Sequence, residues 1–278
     1  MKITFFGTAA SEGFPGLFCS CKYCIRAREL GGKNIRGRSQ ALIGDDLLID
    51  LPPDTMSYFQ RYRVRGDKIK TLLITHGHSD HYFPHDLCLR GSWYAHDMAE
   101  EFLDVICPDS VFDDCSRTLE KADDDVKKGI RLKRASLYEP MEINGYKIIA
   151  MRARHDFSRS AVIYTVERDG KCLLYAHDTG YFYDEVFDYI KDKGIRFDFA
   201  SFDCTNAFLP SKETDSHMGF DNVERVIDRL KTMGAVDKKA LLFVNHFSHN
   251  GNALHEYLEV RASKIGCKVS FDGCKVEF

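Results

Sequence analysis

Residues 72–86, LLITHGHSDHYFPHD, constrain this chain more than any other stretch. An apolar run that reads as a buried strand ends in His76-Gly77-His78-Ser79-Asp80-His81. A strand end is a rigid platform, and a tight turn behind it can aim several side chains at one point. His76 and His78 stand two apart, the spacing that puts side chains on one face of a strand. Gly77 allows a close backbone approach. Asp80 and His81 follow within the turn, where a helix is expected to begin. These four nitrogen and oxygen donors suffice for parts of two metal centres, and such donors suit zinc, iron and manganese.

The rest of the chain reads as a layered α/β protein. Runs rich in Ile, Val, Leu, Phe and Tyr, bounded by Gly, Asp or Asn, predict strands at 2–6, 39–44, 46–50, 69–75, 146–153, 160–167, 171–176, 197–203, 239–245 and 267–271. Apolar residues at helical spacing predict helices at 54–63, 183–194, 221–234 and 253–266. Early strands followed by alternating strands and helices suggest two mixed sheets covered by helices. Residues 97–135 carry mixed charge without strong periodicity and read as a solvated loop or short helices. No repeat, linker or domain boundary is visible, so one domain over 1–278 is expected.

Composition narrows the function classes. The net charge of −3 provides no global basic field and argues against a nucleic-acid partner. No run approaches the roughly 18 apolar residues of a membrane span. The apolar part of the N-terminus is shorter than the roughly 7–15 residues of a secretory signal. It reads as a first strand, and the expected address is the cytoplasm. Of the ten cysteines, seven are scattered in apolar or strand-like surroundings. Cys19, Cys21 and Cys24 instead form CxCxxC, which reads as metal binding in a reducing compartment.

HxHxDH after a strand resembles the hallmark of the metallo-β-lactamase superfamily. The resemblance implies a four-layer αββα sandwich with two mixed β-sheets. It also implies three later ligands, each with a candidate at a strand end: His155 in IIAMRARHD, Asp178 in LLYAHDTG and His246 in LLFVNHFSH. By resemblance, His76, His78 and His155 hold one divalent metal. Asp80, His81 and His246 hold the second, and Asp178 bridges the two. A pair of this kind, about 3.5–4 Å apart, shares a water and lowers its pKa toward about 7. His177, beside Asp178, points to the opposite face of its strand and reads as a core residue. Asp50 is a candidate for orienting a ligand histidine.

The opening GTAASEGFP followed by CxCxxC resembles the PhnP-type cyclic phosphodiesterases within that superfamily. There, three such cysteines bind a structural zinc with a histidine three residues after the last active-site histidine, as in His246-Phe247-Ser248-His249. The resemblance thus implies a Cys19, Cys21, Cys24 and His249 zinc site. Three thiolates and an imidazole make a closed tetrahedral set, which structural zinc prefers. It also implies that His217, before a late helix, contacts the phosphate. His217 and the metal ligand Asp80 are the catalytic candidates, and a small cyclic ribose phosphate is the implied substrate. Asp203 and Thr205 match the family pattern without an evident role, and a homodimer is implied only at family level. The resemblance departs at 97–135 and at LPPDTM, where substrate-shaping loops would lie. Two rival readings use the same site. One is a tRNA 3′-end endonuclease of the ribonuclease Z type, for which RYRVR at 61–65 is the densest basic stretch. The other is a lactone or thioester hydrolase. Outside catalysis, a metal-binding protein without turnover would lack a reason for an open two-metal site. His85, His96 and His255 read as surface or helix residues.

Overall fold

The computed structural model describes residues 1–157 and 160–278. Fourteen strands form two seven-stranded sheets among the described residues. The first sheet contains β1 (Lys2–Gly7), β2 (Gln40–Ile43), β3 (Leu47–Ile49), β4 (Thr71–Leu73), β5 (Leu103–Cys107) and β6 (Ile130–Arg134). The second contains β7 (Met141–Ile143), β8 (Tyr146–Arg152), β9 (Val162–Arg168), β10 (Lys171–Ala176), β11 (Phe199–Asp203), β12 (Leu241–Asn245) and β13 (Lys268–Val269). The last strand, β14 (Lys275–Glu277), returns to pair with β1. Strand order is β14-β1-β2-β3-β4-β5-β6 in one sheet and β13-β12-β11-β10-β9-β8-β7 in the other. Both sheets are mixed: β3 to β6 run parallel, as do β10 to β13, and the remaining pairs are antiparallel.

The central strands are buried on both faces, which is why they read as continuous apolar runs rather than alternating ones. Between the sheets, Ile3, Phe5, Ile49 and Leu73 meet Tyr164, Leu173, Tyr175 and Phe199. Outside the first sheet lie α2 (Thr55–Tyr62), α3 (Asp109–Glu120) and α4 (Asp124–Gly129), after α1 (Lys22–Leu30) has packed elsewhere. Outside the second sheet lie α1, α5 (Asp184–Asp192), α6 (Phe220–Thr232) and α7 (His255–Lys264). Helix α6 shows why: Val223, Val226, Ile227 and Leu230 recur at helical spacing and bury against that sheet. The four-layer αββα sandwich is therefore as expected.

Two expectations change. Residues 97–135 do contain the expected short helices, but they are not a solvated loop. They hold β5 and β6, which extend the parallel half of the first sheet, with α3 and α4 between them. The two strands are only five residues each and sit among charged residues, so their apolar signal is diluted. His255 does start a helix, but it is buried. Arg36 Nη2 lies 2.9 Å from its Nδ1, and Glu259 lies 2.9 Å from its Nε2.

The carboxyl ends of β3, β4, β8, β10, β11 and β12 all open on one edge of the sandwich. Ligand sites of α/β folds gather at such ends.

Candidate metal centre

Three site residues lie just beyond strand ends and adopt the left-handed backbone region: Asp50 (φ 66°), Asp178 (φ 54°) and His246 (φ 64°). Non-glycine residues take this conformation at a cost, and such strain collects at functional sites. Here it turns each side chain off its strand and into a common space. Gly180 serves the same end. A Cβ there would come within 1.8 Å of the Asp215 carbonyl oxygen, so only glycine lets the His217 loop close over the Asp178 turn.

Nitrogen and oxygen atoms of His76, His78, His155 and Asp178 lie within 4.8 Å of one another, as do those of Asp80, His81, Asp178 and His246. Asp178 belongs to both groups. All seven are buried except His78, which is partly exposed.

The hydrogen bonds set the tautomers. Thr75 Oγ1 donates to Asp50 (3.0 Å), so it can only accept from His76 Nδ1 (3.0 Å). That leaves a lone pair on His76 Nε2. A second relay repeats this: Thr205 Oγ1 donates to Asp203 (2.9 Å) and accepts from His246 Nδ1 (2.8 Å). His81 Nδ1 donates directly to Asp50 (2.7 Å), and His155 Nδ1 donates to the Ser216 carbonyl (3.3 Å). Four imidazoles thus aim Nε2 at the site, with a lone pair there whenever the ring is neutral, while His78 aims Nδ1.

These lone pairs face one another. His78 Nδ1 lies 3.0 Å from His76 Nε2 and 3.1 Å from His155 Nε2, and His81 Nε2 lies 3.2 Å from His246 Nε2. Asp178 Oδ2 adds an anionic acceptor 3.1 Å from His76 and 3.2 Å from His81, and its Oδ1 is buried without a hydrogen-bond partner among the described residues. Ring nitrogens converging on a shared carboxylate in this way suit cations, so the buried His/Asp groups fit a dinuclear metal site. Asp203 also lies close, but its oxygens already accept from Thr205 and Met218. With Asp178, His217 and His246 it forms a further group whose donor atoms lie within 4.8 Å of one another.

Charge follows the same plan. Burial disfavours the Asp178 carboxylate, yet His246, His76 and His81 hold its pKa well below the usual range. Burial lowers His155 to about 4, keeping it neutral and able to ligate. Burial would also lower His81, but Asp50 and Asp178 outweigh it and raise the pKa well above the ordinary value, so without a cation Nε2 holds a proton toward Asp178 that a metal ion would displace. For His217, burial is likewise outweighed by Asp203 and then Asp178, giving about 9. His217 Nδ1 sits 3.3 Å from Asp203 and 3.2 Å from Asp178.

A separate group holds Cys19, Cys21, Cys24 and His249. His249 Nδ1 lies 3.2 Å from Cys19 Sγ and 3.6 Å from Cys21 Sγ. Burial acts to raise the Cys21 thiol, but His249 and the neighbouring backbone lower it to about 6. The donor set could hold a structural metal. It adjoins the His/Asp groups because Phe247 pairs with the N-terminal segment, through Phe247 N to Thr8 O and Ala10 N to Phe247 O (both 3.0 Å).

His177 is a core residue, buried between Ser39 and Ser201. Two carboxylates escaped the sequence reading. Asp156 stands 3.6 Å from His78 Nε2, the nitrogen not facing the other ligands. Glu12 stands 3.7 Å from His249 Nε2 and accepts from Ser248 Oγ (2.6 Å). Asp156 directly follows a predicted ligand, which was the available signal. Glu12 had none beyond its place in the GTAASEGFP opening.

The model of the β-lactamase superfamily domain matches residues 46–244, more than half the chain. The chain belongs to the metallo-β-lactamase superfamily. Solved structures agree on the fold at low identity. A diphosphatase from the PhnP family is 21% identical with TM-score 0.74, covering 100% of this chain and 97% of that one. Zinc-bound PqqB from Methylobacterium extorquens is 17% identical with TM-score 0.73, covering 100% of both chains. The short form of human tRNase Z is 15% identical with TM-score 0.65, covering 100% of this chain and 99% of that one. Curated proteins give no match. Within the superfamily fold, a buried His/Asp site makes this chain a metal-dependent hydrolase. No helix among the described residues is long and apolar enough to cross a membrane.

Proposed function

We propose that the chain is a phosphodiesterase that opens a small cyclic phosphate, such as a 1,2-cyclic ribose phosphate, to a phosphomonoester. The observation that carries this is the pair of His/Asp groups meeting at Asp178, with His217 at their edge. His76, His78 and His155 would hold one divalent ion, Asp80, His81 and His246 the other, with Asp178 reaching both. Manganese, zinc and iron suit the donors, and two such ions would polarise the phosphoryl oxygens and acidify water.

The remaining work belongs to the protein. The Asp50–Thr75 and Asp203–Thr205 relays keep His76 and His246 in their ligating tautomers, so no reorganisation is needed when substrate arrives. Asp203 holds His217 by Nδ1, which leaves Nε2 to face the substrate. That nitrogen would donate to a phosphoryl oxygen, or to the ester oxygen that leaves as the P–O bond breaks. The Cys19, Cys21, Cys24 and His249 group would hold a structural zinc that pins the N-terminal loop beside His246.

Phosphorus chemistry is supported over carbon ester chemistry by the pairing of CxCxxC with H-x-S-H, and a small substrate over tRNA by the net charge of −3. The test is turnover of bis-p-nitrophenyl phosphate and of a cyclic ribose phosphate by protein loaded with each metal in turn. Hydrolysis of both is expected. Hydrolysis of lactones or thioesters without any phosphodiester turnover would overturn the reading.

A further inference from the structure

Each metal-facing imidazole turns one nitrogen to the site and the other away from it. The outer nitrogens of three rings lead to a carboxylate. Asp50 meets His81 Nδ1 directly and reaches His76 Nδ1 through Thr75, and Asp203 reaches His246 Nδ1 through Thr205. His155 Nδ1 meets the Ser216 carbonyl. The fifth ring, His78, differs in two ways. It is 44% exposed where the other four are buried, and it faces the site with Nδ1 rather than Nε2. Behind its Nε2 stands Asp156, at 3.6 Å.

Asp156 is not placed as a surface acid would be. Its side chain is only 10% exposed, although it follows the end of β8 and precedes the exposed Phe157. Its backbone is left-handed (φ 42°), as is that of Asp50 (φ 66°), and a non-glycine residue takes that conformation at a cost. The turn carries the carboxylate inward to His78 instead of out to water. At 3.6 Å the contact is an ion-pair distance, longer than a hydrogen bond. The half-exposed ring has room to turn and close it. A neutral imidazole carries one proton, and a carboxylate beside Nε2 favours that proton there. Nδ1 is then left with its lone pair, toward His76 Nε2 at 3.0 Å and His155 Nε2 at 3.1 Å. A carboxylate behind a ligating imidazole also strengthens it as a donor.

We infer that Asp156 is a positioning residue: its carboxylate accepts from His78 Nε2, commits Nδ1 to the ion held with His76 and His155, and sets how firmly that ion is kept. The inference rests on the two-metal reading of the site and not on the choice of substrate.

The test compares the full chain, loaded with zinc, with Asp156→Ala and Asp156→Asn, by chelator competition and by histidine nitrogen NMR. In Asp156→Ala one of the two His/Asp ions should bind about tenfold to a hundredfold more weakly, with the His76, His78 and His155 resonances following its release. The other His/Asp ion and the ion at the cysteines should keep their affinity. Asp156→Asn should recover most of the loss, because its amide oxygen still accepts from Nε2. In the loaded unmodified protein and in Asp156→Asn the His78 proton should sit on Nε2, protected from exchange, and in Asp156→Ala that protection should go. A role confined to the folding of the turn after β8 would weaken both variants alike. Should Asp156→Ala fail to fold, the protected Nε2 proton in the other two proteins decides. Equal zinc affinity in Asp156→Ala, equal loss in both variants, or a His78 proton on Nδ1 would each overturn the assignment and leave the two-metal reading standing. No zinc at the His/Asp groups of the unmodified protein would overturn both.

Discussion

Two donor clusters stand beside each other on one edge of this sandwich, and only Phe247 and Ser248 separate His246 in one from His249 in the other. Their chemistry differs at every point. The first offers imidazoles and carboxylates, shares Asp178 between two groups, and has His217 beside it. The second offers three thiols and one imidazole, just enough for a closed tetrahedral set, and shares nothing. The first comes from the ends of four strands, β4, β8, β10 and β12, spread over both sheets. The second joins the N-terminal loop and first turn of α1 to the turn that begins at His249. The contrast teaches that donor number and connectivity, more than distance, distinguish a group that fits two metals from one that could hold a single structural metal.

The largest break in this contrast should come from Asp178→Ala. With the shared carboxylate gone, phosphodiesterase turnover should fall at least about a hundredfold, as when a principal electrostatic group is removed. Metal analysis should show loss at the His/Asp groups and retention at the cysteines. Near-normal turnover would remove Asp178 from the centre of the account. Next is His217→Ala. If this residue acts on substrate and not on metal, kcat should drop about a hundredfold with metal content unchanged, measured on the same preparation.

Cys21→Ser probes the other side. One metal should be lost and stability should fall by on the order of 3 kcal/mol in denaturant unfolding, since structural metal binding is folding free energy. Turnover per remaining metal pair should stay within about tenfold of the unmodified protein. A complete loss of activity with both active-site metals in place would mean that the clip takes part in chemistry. The smallest effect is expected from Glu12→Gln. If Glu12 orients His249, zinc affinity at the cysteines should weaken about tenfold in chelator competition, with turnover unaffected.

Much of this was legible before folding. HxHxDH after an apolar run placed His76, His78, Asp80 and His81 together because their proximity is local in sequence. His155, Asp178 and His246 were each unremarkable alone and became readable as a set in family order. His249 could be tied to cysteines more than two hundred residues away only through resemblance, since nothing local joins them. Other features were not legible. The left-handed turns at Asp50, Asp178 and His246 depend on what surrounds each strand end, so strand periodicity could not say where those side chains point. The Thr75 and Thr205 relays need three groups brought together from distant segments. Strands β5 and β6 were hidden by the charged residues around them. His255 was read from its helical setting, whereas its burial comes from Arg36 on the far side of the chain.

The central claim is that one edge of the sandwich holds an open two-metal centre and a separate one-metal clip. Elemental analysis of the purified protein, beside Cys21→Ser handled identically, tests it most directly. The account predicts three metal ions per chain in the unmodified protein and two in the variant, with phosphodiesterase turnover retained in both. A single metal ion per chain in the unmodified protein would contradict it.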